Sequence, residues 1–237
     1  MKLARQTQLN LLPKEIPKIH GYSIAAQTIS ATEVGGDYYD FILIDDKHFA
    51  FCLGDVTGKG MPAAMLMANI QATLRAQIQS GHSLTESLFR SGNLLYARTE
   101  PTKFVTLFLG TLNSESNEIF FSNAGHDPPF HFTGNELNYL KTGGILLGAF
   151  PDSQYDQKKI IMAPEDLLIL FSDGVTEAMN HEDNEFTEEK LIDVIKNNIN
   201  MAPELLIEKI VAAVKEHSGS TPQSDDITLM VIKRDVE

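Results

Sequence analysis

Extended and helical segments are grouped in blocks along this chain, and that grouping restricts its fold more than any other feature. Three strand-like runs come first, over 22–29, 37–45 and 48–56, rich in Phe, Tyr, Ile and Leu, with Ile44-Asp45-Asp46-Lys47 as a hairpin turn. Helical patterns over 61–80 and 84–98 follow. Pro62 sits in the first turn of one and Gly81 just past its end, while Ser83 and Glu86 have capping-box spacing ahead of the other. A second strand block covers 104–112, 118–123, 129–132, 136–140 and 166–171. Helical patterns over 188–198 and 204–216 then precede a last strand, 227–233. Parallel strands need long crossovers, so a doubly wound sheet would alternate strand and helix. The block order predicts an α+β fold instead, an antiparallel sandwich with helix pairs on its outer faces.

Residues 1–12 mix polar and apolar side chains at helical spacing, with Leu3, Leu9 and Leu12 the larger apolar ones, and Pro13 and Pro17 end the pattern. Residues 1–20 are therefore expected to form an N-terminal linker helix and Pro-containing connector, and 21–237 one domain. Such a helix suits the joining of a catalytic module to an upstream sensor domain or protein, and its apolar stripe suits a homodimer through the same helix. An ordinary helix packed on its own domain is the alternative.

An apolar fraction of 43% with 13 Phe is ample for a substantial core. A net charge of −13 argues against a nucleic-acid or anionic-membrane partner. The single cysteine, Cys52, lies inside the apolar run 49–53 and has no partner for a disulfide or a zinc site, which fits a reducing compartment. The seven histidines show no zinc-binding spacing. No run approaches the ~20 apolar residues of a membrane span, and the N-terminus lacks a signal-peptide apolar region. These features predict a cytoplasmic chain.

Four aspartates stand beside the strand-like runs in turn-rich settings: Asp37 in GGDYYD, Asp55 in GDVTGKG, Asp173 in FSDGV and Asp225 in SDDIT. Taken singly, each is an ordinary turn residue. Together they share one placement, and a strand end aims a side chain without a loop's entropy cost. Carboxylates gathered without a neighbouring Lys or Arg repel one another and call for a cation. Oxygen-only ligands select Mg²⁺ or Mn²⁺ over zinc, so the pattern points to metal-dependent phosphoryl transfer. GDVTGKG is one residue short of a phosphate-binding P-loop, and Gly60 stands where Ser or Thr would hold magnesium. Asp55 reads better as a metal ligand, with the Val56 carbonyl a second oxygen. Asp40 reads as structural, and Met61, Met65 and Met67 as helix-core packing. In SNAGHDPP, His126 could orient a carboxylate or move a proton, a turn-bound structural histidine being the alternative.

The segments EVGGDYYDF, GDVTGKGMPAAM, FVTLFLG, FSNAGHDPP, FSDGVTEA and SDDITLMV occur in this order across residues 33–231. The set resembles the bacterial metal-dependent serine/threonine phosphatases of the protein phosphatase 2C superfamily, in their RsbU/SpoIIE branch. QTQLNLLPKEIPKIHGYSIAA is similar to the linker that precedes this domain. The resemblance implies a four-layer α/β/β/α sandwich with two Mn²⁺ or Mg²⁺ ions at the edge of the paired sheets. Asp55 would bridge both ions, Asp37 and the Val56 carbonyl would serve one, and Asp173 and Asp225 the other. The ions, ~3.5–4 Å apart in such sites, would activate a water for attack on phosphoserine or phosphothreonine. Asp226, Gly36 and Lys59 would lie just outside the ligands, Lys59 as a contact for the phosphate in place of the arginine that eukaryotic relatives use. The implied substrate is a phosphorylated STAS-domain antagonist of an anti-sigma factor in a partner-switching pathway, and helices 61–80 and 84–98 correspond to a regulatory switch. Two other readings are a catalytically silent metal-binding signalling adaptor, opposed by acidic residues at all four positions, and a GGD-type nucleotidyl cyclase, opposed by Tyr38-Tyr39 where that signature has Glu-Phe.

Overall fold

The computed structural model describes residues 2–100 and 102–236. The chain runs through α1 (Lys2–Leu9), β1 (Tyr22–Ile29), β2 (Tyr38–Leu43) and β3 (His48–Val56), then α2 (Met61–Gln79) and α3 (Leu84–Tyr96). A long β block follows: β4 (Val105–Asn113), β5 (Glu118–Ala124), β6 (Phe130–Thr133), β7 (Glu136–Tyr139), β8 (Gly143–Gly144), β9 (Lys158–Ile161) and β10 (Leu167–Phe171). Then come α4 (Asp173–Thr176), α5 (Glu188–Asn197), α6 (Pro203–Ser218) and β11 (Ile227–Arg234).

The strands form two sheets, one in the order β1-β11-β10-β6-β7 and the other β2-β3-β4-β5-β8, with β9 also on β5. Among the described residues only β5 and β8 pair in parallel. The β2–β3, β4–β5 and β6–β7 pairs are hairpins, antiparallel by construction, and the remaining pairs are antiparallel through longer connections. Strand periodicity explains the layering. On β10, Leu168 and Leu170 face a core shared with the second sheet, while Leu167, Ile169 and Phe171 face α5 and α6. On β11, Met230 and Ile232 turn inward, whereas Leu229 and Val231 turn towards the helices. With α2 and α3 covering the other sheet, the expected α/β/β/α sandwich is the observed architecture. The Ser83 hydroxyl accepts the Glu86 N–H at 3.2 Å, so the capping-box residue does start α3.

Several local expectations need correction. The helix expected over 1–12 stops at Leu9, since the residue before Pro13 is driven out of helical conformation; Met1 lies outside the described residues. Leu12 is instead buried in the core. Of the three methionines read as core, only Met67 is buried; Met61 and Met65 are 38% and 68% exposed. The inner face of α2 is Ala63, Met67, Ile70, Leu74 and Ile78, and the other two fall off that stripe. Strands β8 and β9 and helix α4 were not foreseen. Gly143-Gly144 and the Lys-Lys start of β9 carry no apolar alternation, and Asp173-Gly174 imitates a turn.

Candidate metal centre

Antiparallel pairing brings the acidic motifs together. Tyr38 pairs with Gly54 across β2 and β3, so Asp37, entering one strand, stands beside Asp55, leaving the other. Phe171 pairs with Leu229 across β10 and β11, which puts Asp173 beside the approach to β11 that carries Asp225 and Asp226. Both strand pairs open at one end of the sandwich. Asp173 is the first residue of α4, and a Cβ on Gly174 would come within 2.1 Å of the Asp226 carbonyl oxygen, so only glycine lets these backbones meet. Gly36 is equally confined: a Cβ there would lie 2.7 Å from both Asp55 Oδ1 and the Val56 carbonyl oxygen.

Hydroxyls hold the frame. Thr228 Oγ1 donates to Asp37 Oδ2, and Ser172 Oγ donates to the Asp226 carbonyl at 3.1 Å. The Asp55 N–H donates to Thr106 Oγ1 at 3.3 Å, and Thr106 Oγ1 meets His126 Nδ1 at 3.0 Å. His126 therefore sits behind the strand carrying Asp55. Its Nε2 is buried without a partner at hydrogen-bonding geometry, although the nearby Phe171 backbone opposes the fall in its pKa. Burial pushes this imidazole down to about 4, so it is neutral at pH 7.

The carboxylates load one another. Burial, then the charges of Asp173 and Asp225, push Asp55 up to about 7. Burial and Asp55 raise Asp37 well above the carboxylate range, and burial and Asp225 raise Asp173. The acidic zone extends to Asp127, pushed up to about 6 by burial and then by Asp173, and to Glu177, raised by burial and Asp173. Against these stands Lys59, whose Nζ pairs with Asp225 Oδ2 at 2.8 Å and donates to the Ser224 carbonyl at 2.7 Å. Lys103 flanks the same loop, its Nζ 3.1 Å from where a Cβ of Gly58 would be.

All four aspartates read from the sequence thus lie at one end of the sheets, with the Val56 carbonyl and Gly36 among them. Asp226 is turned to the loop before β2, where its Oδ1 accepts the Ala31 N–H at 2.8 Å. Asp40 is buried at the far side of β2, gripped through both oxygens by Arg75 and bonded to the Tyr38 hydroxyl. Sequence reading missed Asp127, Thr228 and Thr106. Asp127 directly follows His126 in SNAGHDPP and was legible as a further acid in a turn, whereas the two threonines are ordinary strand residues.

The donor set is all oxygen, which suits Mg²⁺ or Mn²⁺, and Gly36 leaves space beside Asp55 and the Val56 carbonyl that a Cβ would fill. Among the described residues no group of three or more His, Cys, Asp or Glu side chains is already placed to hold a metal ion. Asp225 is drawn to Lys59 and Asp37 to Thr228. The set fits a divalent cation provided that Asp225 exchanges Lys59 for it.

Comparison with known proteins gives a consistent result. Residues 45–235 match the family described as Stage II sporulation protein E (SpoIIE). The chain is 27% identical over 239 residues to phosphoserine phosphatase RsbU of Bacillus subtilis (strain 168), covering 100% of this chain and 70% of RsbU. It is 28% identical over 262 residues to protein IcfG of Synechocystis sp., covering 99% of this chain but only 41% of IcfG. Among solved structures, the SiaA-PP2C domain of Pseudomonas aeruginosa superposes with a TM-score of 0.86 at 20% identity, covering 99% of this chain and 95% of that one.

Proposed function

We propose that this chain, which belongs to the SpoIIE family, hydrolyses phosphoserine or phosphothreonine on a protein at the acidic end of its two sheets. The observation that carries the reading is the placement of Asp37, Asp55, Asp173 and Asp225 at one end of the two sheets, with burial and then the charges of Asp173 and Asp225 raising Asp55 to about 7. Such a group is poorly balanced by Lys59 alone, and a divalent cation relieves it. When bound, Mn²⁺ or Mg²⁺, two ions in our reading, would supply charge neutralisation and an activated water. Asp55, charge-coupled to both Asp37 and Asp173, would be held in common, with Asp37 and the Val56 carbonyl on one side of it and Asp173 and Asp225 on the other. Thr228 holds Asp37 in orientation, and Thr106 ties the Asp55 backbone to His126. The neutral His126 positions rather than titrates. Lys59, paired with Asp225 at 2.8 Å, would be free to meet the phosphoryl oxygens once Asp225 turned to the cation. No side-chain nucleophile is needed.

The substrate class we infer is a phosphorylated STAS-domain antagonist of an anti-sigma factor, supported by the likeness to a phosphoserine phosphatase over the whole of this chain. The same reading makes the chain cytoplasmic, with an upstream sensor domain or protein acting through residues 1–20, and self-pairing through α1, where Leu3 is 81% exposed. In the test, p-nitrophenyl phosphate and phosphorylated STAS proteins of the same genome are incubated with the chain in Mn²⁺ and in excess EDTA. Turnover in Mn²⁺ that EDTA abolishes is expected. Full activity in chelator sinks the metal reading, binding without turnover favours the silent adaptor, and GTP consumption favours the cyclase.

A further inference from the structure

We propose that Gln8 is a positioning residue for the turn at residues 34–37, and through it for Asp37; its bearing on activity rests on the metal-site reading above. One side-chain amide meets one backbone residue twice. Gln8 Nε2 donates to the Gly35 carbonyl at 2.7 Å, and the Gly35 N–H donates to Gln8 Oε1 at 3.1 Å. A single amide orientation satisfies both bonds, so the pair holds Gly35 much as a neighbouring strand would.

The segment between β1 and β2 has no regular structure of its own, and few other bonds restrain it. The Ala31 N–H donates to Asp226 Oδ1, and Thr32 Oγ1 donates to the Val34 carbonyl at 2.7 Å. Gly35 itself lies against the Asp226 carboxylate, since an added Cβ would be 1.6 Å from Asp226 Oδ2. Gly36 is next, against Asp55 Oδ1 and the Val56 carbonyl, and then Asp37. A displacement of Gly35 is therefore passed within two residues to three of the oxygen-bearing groups of the site. The path from α1 to the carboxylates is direct and does not pass through α2 and α3, the helices to which the resemblance gives a regulatory role. At its other end α1 leaves Leu3 exposed, while the chain after it is tied to α2 by Gln71 Nε2 donating to the Leu11 carbonyl at 2.6 Å.

Two variants of the full chain separate positioning from bulk stability. Gln8→Leu keeps the size of the side chain and loses both bonds, while Gln8→Glu keeps the acceptor for the Gly35 N–H and loses the donor. Hydrogen exchange in EDTA should quicken in Gln8→Leu at residues 34–37 alone. The Mn²⁺ concentration giving half of the thermal shift, and half of full p-nitrophenyl phosphate turnover, should rise about tenfold, the scale of one to two net hydrogen bonds. Turnover at saturating Mn²⁺ should stay within about twofold of the parent, with Gln8→Glu intermediate. Unchanged exchange at 34–37 overturns the proposal, as does faster exchange spread over the whole chain with a lower melting temperature. Local quickening in a protein whose parent shows no Mn²⁺ shift supports the clamp and overturns the metal reading.

Discussion

Asp55→Asn removes one charge from a group in which each carboxylate raises the proton affinity of its neighbours. Asp55 stands at about 7 in the folded protein against an ordinary 3.8. The folded state therefore holds this proton longer than the unfolded chain does, and as pH rises from about 4 to about 7 folding stability falls. Treated alone, the site costs about 4 kcal/mol at pH 8 and under about 2 kcal/mol at pH 5. Asp37 and Asp173 share the same protons, and relaxation of the exposed rim lowers the figure further, so about 1–3 kcal/mol should be recovered at pH 8. In excess EDTA at pH 8, urea denaturation should show Asp55→Asn to be more stable than the parent by that amount, with a melting temperature roughly 2–8 °C higher. The gain should shrink at pH 5. In Mn²⁺ the order should reverse, because the parent gains binding free energy that the variant lacks. A variant less stable than the parent at pH 8 in chelator, or a gain that is the same at both pH values, would refute the crowding of charge at this end of the sheets.

Asp173→Ala should retain less than about a tenth of turnover at saturating Mn²⁺, a barrier change above ~1.4 kcal/mol, with far-ultraviolet circular dichroism unchanged; greater activity would remove Asp173 from the ligand set. Arg75→Met should cost about 3–5 kcal/mol, because Asp40 is fully buried and Arg75 grips both its oxygens. Urea denaturation of Arg75→Met with and without Asp40→Asn checks the cause, since neutralising Asp40 should recover much of the loss.

Much of this fold was legible in the chain itself. The blocks of strand and helix are written in local periodicity and in punctuation such as Pro62, Ser83 and Pro203, so type and order can be read without knowing any contact. The strand ends carrying Asp37, Asp55, Asp173 and Asp225 were equally visible, because a glycine or turn residue next to an apolar run is a local signal. What failed were the elements whose stability comes from their neighbours. Strand β9 owes its existence to the edge of β5, and Leu12 its burial to the sheets and helices that close over it. Met61 and Met65 misled because composition does not tell which face of α2 turns inward.

By itself the sequence determined which acidic residues stand beside strand ends and where each lies along the chain, since backbone periodicity and residue type are local properties. Only the tertiary structure decided which of them meet: that Lys59 is spent on Asp225, that Asp127 and Glu177 join the acidic zone, that Asp40 faces Arg75 rather than the site, and that Gln8 reaches Gly35 across 27 residues. Desolvation and charge coupling depend on distances through space, and those exist only once both sheets have closed on one another.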